Sequence, residues 1–495
     1  MLDRLIVENL KGFGPRQEVE LAPLTLIYGP NAGGKSTLIQ ALLLLKQSVE
    51  AGDTVPPTLV TNGPLVNVGS FPAAVHRQEL DQTMHIGVGF SDREDSLTSG
   101  PDPEKYPGYE WKLLMRKELI TVDFAFSGKE GEAAGYQTGV TLGVGGRLPV
   151  CGFALEDEYR FRLANGAARA AWNAWIGREL QERADYERED TWGEDRELFA
   201  DFLRAEGSQG MGDLEPRFEI TGHFPGAIDL HRRLNIREID HDRWRYWRVI
   251  EKTWGTWATY YAGVLRKRLA EVAYLGPLRR APERYHVISG DRGEGVGREG
   301  ERTWQLLAQD TEFVETVNRW LERLQIPYTL AVGRARERAF GDLLLVQLTD
   351  RRNGTAVSPS DVGFGVSQVL PLVVAVAQLF TGTLCVEQPE VHLHPRLQAE
   401  LADLFIERTR RDENYPTGQL LIETHSEALM LRIQRRIREG VLKPDDVSVL
   451  YVDPEGGTAT TVKRLRLDRL GRFIDEWPGG FFEERLNETL LGFEN

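Results

Sequence analysis

"LTLIYGPNAGGKST", Leu24–Thr37, runs from an apolar, strand-like segment straight into a glycine-rich turn that ends in Lys-Ser-Thr. The aromatic and β-branched residues before Gly29 suit an extended strand. Gly29, Gly33 and Gly34 let the chain turn its backbone N–H groups inward. Residues 29–37 fit G-x-x-x-x-G-K-[ST], in which such a turn cradles phosphate oxygens. A Leu-rich helix opens at Lys35, so the positive end of its dipole meets the same point. The turn Gly29, Pro30, Asn31, Ala32, Gly33, Gly34 is thus expected to surround a triphosphate. Lys35 reaches the β/γ-phosphates, Ser36 can ligate Mg²⁺, and Thr37 follows in the motif. The plain alternative is a Gly-rich strand-to-helix turn, and the strand and helix on either side weigh against it.

Working outward, the C-terminal half alternates strand and helix. Strands are expected at Asp342–Leu348, Leu384–Val386, "QLLIETH" and "VSVLYVD". Helices are expected at Ser367–Phe380, Pro395–Arg411 and Glu427–Gly440. Such alternation points to a mostly parallel sheet. Residues 56–163 read as strands and turns after the first helix. Helical, Trp-rich patterns follow at Ala167–Arg204 and Trp247–Val272. "TWQLLAQDTEFVETVNRWLERL" reads as one more amphipathic helix, and "SGDRGEGVGREGER" as a charged loop. "GVGREG" matches G-x-G-x-x-G without a βαβ unit around it, so a mobile loop is the simpler reading. The fold class expected is α/β. Residues 1–163 form an N-terminal lobe, 164–272 a helical insertion, 273–475 a C-terminal lobe and 476–495 a tail.

Three C-terminal stretches carry chemistry. "LCVEQPEVHLHP" (Leu384–Pro395) takes an apolar strand into Glu387, but Gln388 follows where a hydrolytic carboxylate would stand, and an amide takes no proton from water. Glu390 is the nearest alternative base. "ETHS" (Glu423–Ser426) ends another strand. His425 there can reach a γ-phosphate, while Ser426 can cap the next helix. "SDVGFGVSQVLPL" (Ser360–Leu372) sets glycines and a Ser before a helix, a second anion-binding start or an ordinary cap. His392 and His394 have no supporting Cys or acid cluster, which argues against a metal pair.

Composition narrows the class. The 495 residues suggest two or three domains. The net charge of −15 excludes a uniformly basic nucleic-acid coat. The basic runs Leu431–Gly440 and Val462–Arg472 leave local nucleic-acid contact open, with solvated faces the simpler reading. The longest apolar run, Val369–Phe380, is short of the ~20 residues of a membrane span. The charged first residues suit no signal peptide. Cys151 and Cys385 alone suggest no disulfide framework, so a cytoplasmic protein is expected.

The order of phosphate loop, Gly/Ser helix start, apolar-acid strand and His strand end resembles the ABC-type, AAA-family ATPases, in their SMC-like and OLD-like branch. "EQPEVHLHP" with "ETHS", "AYLGPLRRAPERY" (Ala273–Tyr285) and "EWPGGFFEERLNE" (Glu476–Glu488) resemble a bacterial group related to Septu- and PARIS-type anti-phage ATPases. The likeness covers roughly residues 1–90 and 274–495. It implies an ATPase head assembled from both ends of the chain around an inserted arm or lid. It implies ATP and Mg²⁺ as cofactors, with Ser36 and Glu387 serving the metal and His425 as the γ-phosphate switch. Gly363, Gly365 and Ser367 would be a signature that contacts ATP held by a second subunit. Gln388 takes the general-base position, and Gln47 or Gln78 would be the family's loop glutamine. The implied partners are a second copy of the chain, or a higher homo-oligomer, and an effector nuclease or toxin encoded nearby. Three readings remain. One is a slowly hydrolysing, dimerising ATPase. Another is a nucleotide-gated scaffold or an SMC-like DNA-binding ATPase. The last, an OLD-type nuclease, needs an acidic metal-binding domain, for which the residues after His425 are too few.

Overall fold

The computed structural model describes residues 1–52, 57–91, 119–145, 148–157, 160–172, 174–175, 178, 217–221, 223–228, 241–287, 295–338, 341–410, 418–454, 457 and 459–478. Two compact units emerge. One contains Met1, Val19–Ile39 and Glu271–Asn495; the other contains Leu2–Glu18 and Gln40–Ala270.

The first unit is built on a six-stranded sheet. Its strands are β1 (Leu24–Tyr28), β2 (Val272–Leu275), β3 (Thr383–Glu387), β4 (Gln419–Glu423), β5 (Val447–Asp453) and β6 (Thr461–Leu465). The order is β2-β3-β4-β1-β5-β6, parallel except for the β5/β6 pair. Every residue of β1, β3 and β4 is buried, as expected of parallel strands covered on both faces. The helices are the first turn of α1 (Lys35–Glu50), which passes into the second unit at Gln40, and α2 (Phe364–Ala377), α3 (Pro395–Thr409) and α4 (Glu427–Arg438). Leu26, Val386 and Ile422 from the strands share one core with Leu372, Val376, Leu404 and Ile433 from the helices. The chain's early strand β1 sits between two strands from its far end. This order leaves the phosphate loop, Gln388 and Thr424–Ser426 together at the carboxyl ends of the strands, where open α/β sheets bind ligands.

A second sheet in this unit pairs Tyr328–Glu337 with Gly341–Asp350, and two short strands, His286–Val287 and Ala356–Val357, join it. The single helix expected after Thr303 is two, Thr303–Leu307 and Thr311–Arg323. The break comes at Asp310, whose side chain caps the second helix by accepting from the Glu312 N–H. "GVGREG" is an ordered turn. Gly276 and Arg280 donate their N–H groups to the carbonyls of Arg298 and Glu299. A Cβ on Gly300 would come within 2.6 Å of Pro371 of α2. The start of that charged stretch, 288–294, lies outside the described residues.

The second unit is an antiparallel sheet. Its order is Phe224–Ile228, Arg217–Thr221, Arg160–Leu163, Leu148–Asp157, Gly135–Val144, Leu119–Gly128, Met84–Ser91, Leu2–Glu8, Gln17–Glu20. Helix His241–Ala270 lies against it. Trp254 is fully buried, with ring centroids 5.2 Å from Phe218, 5.6 Å from Phe153 and 5.4 Å from Trp175. Trp172, Trp175, Trp254 and Trp257 of the Trp-rich middle are therefore core. The insertion expected at 164–272 to be mostly helical also supplies two strands of this sheet, at 217–228, because Phe218 and Phe224 bury their rings there. Residues 166–172 are helical as expected, and most of the helix expected to Arg204 lies outside the described residues.

Candidate nucleotide site

The phosphate loop has the backbone its glycines predict. Gly29 and Gly34 take φ of 145° and 101°, and Ala32 takes 59°. Gly33 donates its N–H to the Pro30 carbonyl and Thr37 to that of Gly34, while Asn31 and Ala32 are exposed at the tip. Lys35 Nζ donates to the carbonyls of Gly29 and Pro30 at 3.1 and 2.7 Å. Burial lowers the affinity of this amine for its proton, against the charges of Glu423 and Glu390. An ammonium closing on its own loop, at a helix start, is the donor set a polyphosphate displaces.

Two carboxylates stand at the strand ends. Glu387 and Glu423 are directly paired in the β3/β4 register, and both are buried. Glu387 Oε1 accepts from the Tyr274 hydroxyl at 3.0 Å; burial and this carboxylate hold the phenol well above its ordinary range. Glu423 Oε2 accepts from the Ser36 hydroxyl at 2.6 Å. Burial raises Glu423, offset by Ser36 and Lys35, with the charge of Glu390 raising it further. Sequence reasoning passed over Glu423 as the last residue of a strand. The available signal was an acid ending an all-apolar run, as at Glu387. Magnesium is ordinarily held by one or two carboxylates together with substrate phosphates. The Ser36 hydroxyl beside these acids fits that chemistry.

Gln388 takes a left-handed φ of 45°. Its N–H donates to the Glu423 carbonyl at 2.8 Å, and the preceding Glu387 carbonyl accepts from Arg279 Nη2 at 3.2 Å. Glu390, the alternative base, is drawn to the neighbouring strand end. Its two oxygens accept from the Thr424 hydroxyl at 2.8 Å and the His425 N–H at 2.6 Å. It clasps the turn that presents His425. Burial, then the charge of Lys35, lowers the His425 imidazole below its ordinary range. Ser426 caps α4 through the Leu429 N–H and donates to Gln398 Oε1 at 2.8 Å. The capping reading of "ETHS" holds, in the same turn that carries His425. His394 is the cap of α3, its Nδ1 accepting from the Arg396 N–H.

At the second glycine-rich start, Gly363 precedes α2, and a Cβ on Gly365 would come 2.8 Å from the His392 carbonyl. Ser367 is buried at 4 % exposure, one turn inside the helix, and so is not presented outward. Arg279, missed by sequence reasoning, is 5 % exposed. Its N–H donates to Gln368 Oε1, and its carbonyl accepts from Gln368 Nε2. Burial, against the charge of Glu390, brings its guanidinium down to about 10.

Several cations of the basic runs are paired within the fold. Arg432 pairs with Glu400 and Asp403, Arg436 with Asp403 and Glu439, Lys463 with Asp453, Arg464 with Glu20, and Arg466 with Asp475. Gln47 hydrogen-bonds the carbonyls of Val60 and Val66, so its amide is taken up within its own unit. Trp477 of the tail packs edge-on against Tyr28 at 5.5 Å, directly before the phosphate loop. The rest of the tail, from 479, lies outside the described residues.

The family model described as "AAA domain, putative AbiEii toxin, Type IV TA system" matches residues 156–431, more than half of the chain. The chain belongs to this AAA-domain family. A further AAA-domain model matches residues 4–47, over the phosphate loop of this AAA protein, and a model described as a protein of unknown function (DUF3696) matches 442–490. No curated protein matches it. Among solved structures the AAA chain is similar to an SMC head bound to the C-terminal winged-helix domain of ScpA, at 12 % identity and TM-score 0.40, covering 94 % of this chain and 98 % of that one. It is also similar to the SMC head domain from Thermotoga maritima, at 9 % identity and TM-score 0.36, covering 94 % and 99 %. An SMC head from Pyrococcus furiosus aligns at 12 % identity and TM-score 0.38, covering 100 % and 99 %. Among the described residues of this AAA protein no helix is long and apolar enough to cross a membrane.

Proposed function

We propose that this AAA-family chain is an ATP-binding, slowly hydrolysing ATPase that dimerises around ATP and controls a partner effector in bacterial anti-phage defence. The observation that carries the slow turnover is the strand end Glu387–Gln388. The position after the buried acid holds an amide on a peptide fixed from both sides. An amide can orient water, as in GTPases, but takes no proton. Glu390, the next carboxylate, has both oxygens engaged. A missing general base costs ~10²–10⁴-fold in rate. ATP and Mg²⁺ are the cofactors, held by Gly29–Thr37 with Ser36 and a strand-end carboxylate; bound Mg²⁺ neutralises phosphate charge. The defence role and the effector rest on the sequence resemblance, and the toxin–antitoxin wording of the family description agrees with a role beside an effector.

The test compares steady-state ATP turnover of wild type, Lys35→Ala and Gln388→Glu. Wild type should turn over slowly, Lys35→Ala not at all, and Gln388→Glu faster by about tenfold or more. Brisk wild-type hydrolysis that Gln388→Glu leaves unimproved sinks the slow-clock reading. The engaged Glu390 favours one second reading, a nucleotide-gated scaffold. Tight ATP binding with no turnover in wild type would select it.

A further inference from the structure

Of the two strand-end acids, Glu387 is the one its sequence context marks for the metal, yet Glu423 is the one that bonds Ser36 of the phosphate loop. The sheet order puts β4 beside β1 and β3 one strand further out. With strands ~4.8 Å apart, Glu423 stands one spacing from the loop's own strand and Glu387 two, or ~10 Å. Because the two are register partners, they lie at the same height along the strands. Height does not favour either, and lateral distance does.

Hydrogen bonding agrees with distance. The Ser36 hydroxyl has one proton and two lone pairs. Its proton goes to Glu423 Oε2 at 2.6 Å. That leaves the oxygen's lone pairs for a cation and, with a carboxylate behind the proton, makes the oxygen a stronger donor to it. Glu387 Oε1 accepts from the Tyr274 hydroxyl on β2, the strand on the far side of β3 from the loop. Lys35, next to Ser36, also feels the charge of Glu423 and, less, that of Glu390.

We infer that Glu423, acting through Ser36, is the carboxylate that makes nucleotide binding depend on a divalent cation, and that Glu387 is a positioning residue held by Tyr274. The inference rests on the nucleotide reading of the site and deepens it. Glu423 is a positioning residue for the metal's hydroxyl ligand. The ligand class is a magnesium–nucleoside triphosphate, and the Ser36–Glu423 pair sets how much the cation adds to affinity.

The experiment measures the affinity of a fluorescent ATP analogue by titration in magnesium chloride and in EDTA, for wild type, Glu423→Gln and Glu387→Gln. Both replacements keep size and an acceptor oxygen and remove only charge. Losing a partner behind a metal ligand typically costs 10–100-fold in metal affinity. Glu423→Gln should therefore lose about tenfold or more of the magnesium enhancement, while Glu387→Gln keeps it within about threefold. Equal losses, a larger loss in Glu387→Gln, or no loss in either overturn the assignment. Should Glu423→Gln not fold, as read from its thermal melt, Glu423→Asp keeps the charge but draws it back from the Ser36 hydroxyl, which stays in place as the ligand. Undiminished enhancement there overturns the assignment, and its loss with Glu387→Gln intact supports it. A wild type that binds the analogue in neither buffer overturns the nucleotide reading as well, an outcome distinct from failure of the assignment alone.

Discussion

Gly29 makes the closest approach in the phosphate loop. A Cβ there would sit 2.3 Å from the Val452 carbonyl of β5, at a φ of 145° that L side chains rarely adopt. Nothing flexible can yield, since the opposing atom is backbone in a paired strand. Gly29→Ala should thus cost roughly 1–3 kcal/mol of strain, lower the melting temperature and weaken ATP binding together. A variant with wild-type melting and affinity would show that the loop has slack the structure does not display. Gln388 poses the opposite case. It is a non-glycine residue held at positive φ, with its peptide fixed by Arg279 and the Glu423 carbonyl. Such a conformation persists where the surroundings over-determine it.

Elements show how far periodicity carries. Strands β3, β4 and β5 and helices α3 and α4 lie within a few residues of where apolar runs and caps put them, because each is a local signal read along one segment. What the sequence could not disclose is adjacency. Which acid meets Ser36 depends on β4 slotting beside β1, across almost the whole chain, and no spacing encodes that. Arg279 was illegible for the same reason. Alone in "GPLRRAPERY" it looks like surface charge, and only the fold buries it. The helix at Thr303 was misread because one Asp cap outweighed a continuous amphipathic pattern.

Also at this scale, neighbouring strands of the second unit share a charged cluster. His85 Nδ1 lies 3.3 Å from Asp123 Oδ2, and Arg16 Nη1 lies 2.6 Å from the same oxygen. Burial disfavours the imidazolium most, but Asp123 and then Glu8 outweigh burial and the charge of Arg16, so the imidazole is raised above its ordinary range. A histidine raised in the fold contributes stability that is present below its unfolded pKa of ~6.5 and lost as pH rises through its folded pKa. Urea midpoints at about pH 6 and about pH 8 should therefore differ less in His85→Gln than in wild type. An unchanged difference would remove His85 from the linkage.

For the whole molecule the expectation is association. If ATP is shared between two copies, light scattering should give a monomer mass without nucleotide and twice that mass with ATP and Mg²⁺, most clearly where hydrolysis is slow. Gly363 and Gly365 lie at a helix start whose Ser367 is turned inward. In that arrangement contact there would fall to backbone N–H groups rather than to the serine. A strict monomer in both conditions would refute the shared-ATP arrangement.

Arg279 ties that helix to the strand end. Its main chain is gripped on both sides by the Gln368 amide, and its guanidinium holds the Glu387 carbonyl. Displacing α2 therefore drags the Glu387–Gln388 peptide, and fixing that peptide resists displacement of α2. Coupling of this kind is reciprocal by thermodynamic necessity. On the proposed function, a partner seated on the helix start would thus adjust the peptide that carries Gln388, and a nucleotide seated beside that peptide would adjust the partner's hold. Arg279 would then work as a lever arm with two loads, occupancy at either end being weighed at the other.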